Sequence, residues 1–147
     1  HLMDEDATSS AKIKHLELIQ SIVGRMANNF FLIKGWSVTI SAALFALAAK
    51  DSNPKFAILA ILPIFAFWYL DAFYLRQERI FRHFYNKVLD DKEGKIAPMS
   101  LNTHAHACDV HGVGKTMLAE CNIVFHGVIL IAAFILFTLL YGPSCFL

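Results

Sequence analysis

The sequence predicts an all-α integral membrane protein with three transmembrane helices, the first two forming a long helical hairpin that extends into the cytoplasm. Three observations lead there. The chain is 56% hydrophobic and 17% charged, with a mean hydropathy of +0.50, where a soluble domain carries about 25% charged residues. The apolar residues are gathered into blocks, as a membrane chain requires and an amphipathic soluble bundle does not. The blocks at 30–49, 56–74 and 123–141 each approach the roughly 20 residues a helix needs to cross a hydrocarbon core of about 30 Å.

The 147 residues make one domain, read as 11–147. The net charge of +1 gives no reason to expect nucleic acid as a partner. His1-Leu2-Met3 reads as a tag remnant, and 1–10 as a disordered, acidic N-terminus carrying Asp4, Glu5 and Asp6. This lacks the basic-then-apolar order of a cleavable signal, so the first span is expected to stay in the mature protein. Ser9 or Ser10 is a candidate N-cap for a helix beginning near Ala11. From there Leu16, Ile19, Val23, Met26, Phe30 and Ile33 recur at alternating steps of three and four, which is heptad spacing. Such a seam packs against the chain's own second helix or against another subunit.

The first span, 30–49, is rich in small residues, with Ser37/Ser41 and Ala42/Ala46 as small-xxx-small pairs. Such pairs let helix backbones approach closely in lipid. Lys34, Ser37 and Ser41 share one weakly polar face, a pore-lining or packing face. Serines in spans also commonly bond their own backbone. The turn at 50–55 contains Asn53-Pro54, a helix-start signal with proline tolerated in the first turn. The second span, 56–74, carries Pro63 as an expected kink. It ends in Phe67, Trp68, Tyr69, Phe73 and Tyr74, aromatic residues of the kind found at a membrane interface.

Each of these spans holds one ionisable residue, Lys34 and Asp71, equally far from the turn and so at matching depth. The expectation is an ion pair, because an unpartnered intramembrane charge is costly; the alternative is that each reaches independently to the headgroups. Beyond Asp71 the helix continues with Ile80, Phe81, Phe84, Tyr85 and Val88 on one side, set to meet the seam of the first helix. Arg76, Arg79 and Arg82 form a basic stripe assigned to anionic lipid headgroups, with Glu78 four residues before Arg82. A charged turn at 90–95 and an irregular stretch at 96–103 follow, completing with the next helix start a cytoplasmic segment over 75–122. A third helix begins near Gly114, turns apolar at Ile123 and runs to 141, where Gly142-Pro143 ends it. Its lone early polar residue, His126, is read as a bond to a neighbouring helix or as a proton relay.

Lysines and arginines concentrate ahead of the first span and between the second and third. The positive-inside rule then puts the N-terminus and the 75–122 segment in the cytoplasm and the C-terminus outside.

No catalytic constellation emerges. His104, His106, Cys108 and His111 lie close enough in sequence to suggest a metal, zinc being the candidate by ligand type. Their spacing matches no established zinc signature, and no cofactor is otherwise expected. Gly112-Val113-Gly114-Lys115-Thr116 resembles the end of a phosphate-binding loop, but Asp109 stands where the first glycine is needed. Cys108, Cys121 and Cys145 are odd in number and irregular in spacing, which gives no disulfide framework.

Lys34-Gly35-Trp36, Leu70-Asp71-Ala72 and Arg76-Gln77-Glu78-Arg79, within 32–88, resemble a family of small, uncharacterised bacterial multi-span membrane proteins. The organisation also resembles the SLATT-like transmembrane effectors of anti-phage systems. That resemblance implies a homo-oligomer of a bacterial inner membrane, its C-terminus then periplasmic, that perturbs the membrane when triggered. Together with the small residues of the first span, the heptad seam and the Lys34 and Asp71 charges, it leads to the expectation of a non-enzymatic pore-forming or membrane-disrupting effector, with the lipid membrane and its own copies as partners. The alternatives are a membrane anchor or sensor that recruits a cytosolic protein through 75–122, and a metal-linked transporter.

Overall fold

The computed structural model describes residues 2–91, 93–97 and 99–141, and all regular structure among them is helical. Helix α1 runs Leu2–Asp51, α2 Pro54–Leu59, α3 Ile61–Asp90, α4 Val113–Met117 and α5 Glu120–Tyr141, with a 3-10 turn at His104–Asp109. Three helical stretches, Ala7–Asp51, Lys55–Asp90 and Glu120–Leu140, are long and apolar enough to cross a membrane. At 1.5 Å per residue, α1 is about 75 Å long, more than twice a hydrocarbon core.

Helix α1 starts at Leu2 and not near Ala11, so Ser9 and Ser10 lie inside it. No glycine or proline interrupts 2–23, so the helix runs without a break through both serines. The serines are therefore not needed as caps.

Two local devices shape the connection from α1 to α3. Ser52 has φ 48°, and the Asn53 N–H reaches back to the Ala48 carbonyl at 3.2 Å. This is the left-handed ending that satisfies the last carbonyls of a helix, here without glycine. Asn53 then caps α2, its side chain accepting from the Lys55 N–H at 3.0 Å, with Pro54 in the first turn. The sequence placed a kink at Pro63; the helix is interrupted at Ala60, three residues earlier. Proline lacks the N–H that would bond Leu59, and its ring crowds that carbonyl, so the disturbance falls one turn upstream. The Ala60 and Ile64 N–H groups still bond the Phe56 and Ala60 carbonyls at 3.1 and 3.2 Å, which carries the chain through as a kink.

The chain divides into two compact units, His1–Asn29 with Tyr74–Gly112, and Phe30–Phe73 with Val113–Leu147. In the first, Ile19 and Val23 of the heptad seam pack with Phe84 and Val88 of α3, flanked by Leu16, Phe81, Tyr85 and Ile96. In this unit the seam thus meets the chain's own second long helix. Buried His15 donates from Nε2 to the Ser100 carbonyl at 2.7 Å and sits edge-on to Phe84. Lys12 closes the end of α3, donating to the Leu89 and Asp91 carbonyls at 2.9 and 2.8 Å. Asp91 in turn accepts from the Ile96 and Lys95 N–H groups at 2.8 and 3.2 Å. Those backbone donors, Ile96 foremost, hold its carboxyl below the ordinary value of 3.8.

In the second unit, Ala60 and Ile64 pack on Ala133 of α5, with Leu44, Phe45, Ile129 and Leu130 around them. The outer surface is apolar: Phe31, Trp36, Leu62 and Phe134 are more than half exposed. A face of this kind is matched to lipid or to another apolar surface.

Candidate functional site: a polar centre inside the three spans

The interior of the second unit is polar where a membrane bundle would be expected to be apolar. Ser37, Ser41, Asp71, Thr116, Asn122 and His126 are all buried, Asp71 and His126 completely. They come from four elements: α1 supplies Lys34, Ser37 and Ser41, α3 supplies Trp68 and Asp71, α4 supplies Thr116, and α5 supplies Asn122 and His126.

Asp71 Oδ2 is the hub. The Lys34 ammonium forms an ion pair with it, and His126 Nε2 donates to the same oxygen at 3.0 Å. The expected Lys34/Asp71 pair is present in the geometry, and the third helix joins it. Lys34 also lies 3.4 Å from Asn122 Oδ1. Its ammonium sits between two rings, 4.4 Å from the Phe30 centroid and 4.5 Å from that of Phe125, both within cation–π range. Only 16% of the Lys34 side chain is exposed. The lysine is thus held inside by charge, hydrogen bonding and ring faces, and does not run to the headgroups.

His126 is fixed by its surroundings. Trp68 stacks on it at 5.8 Å between centroids, 16° from parallel, and Phe125 meets it edge-on at 5.0 Å. Trp68 is itself anchored, its Nε1 donating to the Met117 carbonyl at 2.9 Å. The sequence placed Trp68 in an interfacial aromatic cluster; the structure turns it inward as the wall of the histidine. Asn122 Nδ2 donates to the Thr116 carbonyl at 3.3 Å, tying α5 to the short helix before it. Because Nε2 carries the proton given to Asp71, neutral His126 presents a bare lone pair at Nδ1. Among the described residues that nitrogen has no partner, nor have Asp71 Oδ1 and the hydroxyls of Ser37 and Ser41.

The small residues of α1 divide between two faces. Ser37, Ser41 and Ala48 point inward, whereas Gly35, Ala42 and Ala46 are exposed. Ser37/Ser41 is therefore an internal face, and Ala42/Ala46 is left on the outside.

The other expected residues fall in the first unit. Arg76 donates from Nε to the His111 carbonyl at 3.2 Å and from a terminal nitrogen to that of Ala107 at 3.1 Å. It clamps the 104–111 segment, a contact the headgroup assignment did not include. Arg82 is exposed and pairs with Glu78 at 2.6 Å, and Arg79 is half-buried. Asp109 accepts from Lys87 at 3.0 Å and from His83 at 3.2 Å. The Lys87 ammonium, then His83, hold the Asp109 carboxyl below the ordinary carboxylate value of 3.8.

The metal expectation fares differently. His104 and Cys108 lie in the 3-10 turn and His111 beyond it, while the side chain of His106 and all of Cys145 lie outside the described residues. Among the described residues, no three His, Cys, Asp or Glu side chains converge as a metal would require. A 3-10 turn has three residues per turn, so neither the i, i+4, i+7 face of an α-helix nor the alternating face of a strand forms there.

Sequence reasoning found Lys34 and Asp71 but missed Asn122 and the wall formed by Trp68. The start of the third span at Ile123 left Asn122 outside it. The signal that could have found the full centre is that His126 follows Asn122 by one helical turn on an otherwise apolar helix. Comparisons with protein-family models, with curated proteins and with solved structures find no match.

Proposed function

We propose that this chain is a non-enzymatic, self-associating membrane protein that lets small ions pass when its helices rearrange. In the fuller form of this reading it is a pore-forming effector of a bacterial inner membrane, with a cytoplasmic N-terminus and a place in phage defence. The observation that carries it is the polar interior of the second unit: Lys34, Ser37, Ser41, Asp71, Asn122 and His126 occupy a bundle whose stability alone would be served by apolar side chains. Polar and ionisable groups are expensive inside a membrane and mark ion pathways when they persist. The exposed Gly35, Ala42 and Ala46 on α1 support self-association.

Reconstitution of the full chain in dye-loaded liposomes tests the reading. The expected result is release of small ions but not of large solutes, reduced by Ser37→Leu and Ser41→Leu. Liposomes that stay tight at every pH and membrane potential would overturn it. A second reading, a membrane anchor or sensor for a cytosolic protein, is favoured by exposed Leu89, Met99 and Leu101 in the 75–122 segment. Partner capture that needs this segment, from liposomes that remain tight, would select it.

A further inference from the structure

We propose that the Lys34/Asp71/His126 centre is a proton-binding site, with His126 Nδ1 as the atom that takes up the proton. It deepens the permeability reading by naming what acts on the site, and the proton uptake itself stands independently of that reading.

The inference starts from bond counting. Asp71 Oδ2 is occupied twice, by the Lys34 ammonium and by the His126 Nε2 proton. Its other oxygen and His126 Nδ1 are completely buried and have no partner among the described residues. A buried acceptor without a donor is costly, and two on adjacent groups of one cluster leave room for an added donor proton. Charge counting points the same way. The charged groups at the imidazole are Asp71 from α3 and, across that carboxylate, Lys34 from α1; the further polar groups of the cluster, Asn122 beside Lys34 and Thr116 beside Asn122, are uncharged. With Lys34 cationic and Asp71 anionic, the formal charge of the centre is zero while His126 is neutral.

Proton uptake breaks an O–H bond of hydronium, forms an N–H bond at Nδ1 and releases water. No oxidant or further reactant is involved. The product carries one net positive charge among Phe30, Phe125 and Trp68. A net charge in apolar surroundings is strongly disfavoured unless it is hydrated or paired. Ser37 and Ser41, one and two turns from Lys34 on the inward face of α1, have hydroxyls with no partner among the described residues, ready to bond water that enters to hydrate it. Protonation thus favours arrangements in which the serine face is wet, which is what a conducting state needs.

The test labels the histidines of the full chain with nitrogen-15 in detergent micelles and follows them while acidifying across the roughly pH 4 to 8 range that spans imidazole titration. His126→Gln identifies the resonance pair by its disappearance. The expected result is one bare and one protonated nitrogen at neutral pH, with the bare nitrogen gaining a proton on acidification. Proton and cation flux in liposomes of the same preparation is expected to rise several-fold over that range in the wild type and to stay flat in His126→Gln. A His126 that never takes a second proton, or whose bare nitrogen is Nε2, overturns the proposal whatever the flux. Uptake at Nδ1 with tight liposomes upholds the proton site and removes the permeability reading.

Discussion

Asp71 is the residue on which the second unit turns, because one of its oxygens serves partners from two other helices. The buried serines present the opposite case. Ser37 and Ser41 have hydroxyls with no partner among the described residues, so removing one forfeits no hydrogen bond seen there and relieves a desolvated group of about 1–3 kcal/mol. Ser37→Ala is therefore expected to leave unfolding in detergent unchanged or shift it upward by about 1 kcal/mol; a loss of more than about 1 kcal/mol would show that the hydroxyl has a structural partner. Lys34 and Asp71 were legible in the sequence because a charge inside an apolar block is conspicuous and the turn between them fixes their relative depth. His126 was legible as a histidine that bonds a neighbouring helix, which it does at Asp71, but not by the name of that partner. Its partner depends on the register of α5, which a loop of irregular structure between α3 and α5 leaves undetermined. The inward contacts of Trp68 were not legible because aromatic side chains serve both interfaces and interiors, and composition does not tell these apart.

At the scale of elements, the helices follow from long runs without breakers, and the breaks follow from Ser52, Asn53 and Pro63 acting locally. The heptad seam was legible for the same reason: its period of 3.5 fits one helix packing on another, and Ile19 and Val23 meet Phe84 and Val88. The stretch after α3 was not legible, because its order comes from side chain to backbone bonds that have no period. Asp91 is its main acceptor, bonded by the Ile96 and Lys95 N–H groups. Its carboxyl is held below 3.8 by those donors, so the stabilisation is fully present above pH 3.8 and is lost as the pH falls through the lower value of the folded state. Amide exchange measured on acidification is expected to lose protection at Ile96 and Lys95 only below pH 3.8. Protection that disappears at a higher pH, or that survives in Asp91→Ala, would show that other contacts hold the turn.

For the whole molecule, three helices among the described residues are long and apolar enough to cross a membrane, and the second unit presents an apolar outer surface while it encloses charges. This inversion of the soluble pattern was legible from composition and blocking alone. The proposed orientation rests on the distribution of lysine and arginine, and the proposed activity on the polar interior. The activity depends on the ionic joint among α1, α3 and α5 being a real fastening of the spans. Breaking a buried pair from one side costs about 3–5 kcal/mol, whereas removing both partners costs less than the sum. The most direct measurement is the unfolding free energy in mixed detergent of the wild type, Lys34→Met, Asp71→Leu and the double variant. Each single change is expected to destabilise by about 3 kcal/mol, and the double variant by about 2 kcal/mol less than the sum, remaining below wild type because His126 Nε2 has lost its acceptor. Single changes that cost almost nothing, or effects that add within about 0.5 kcal/mol, would contradict the joint.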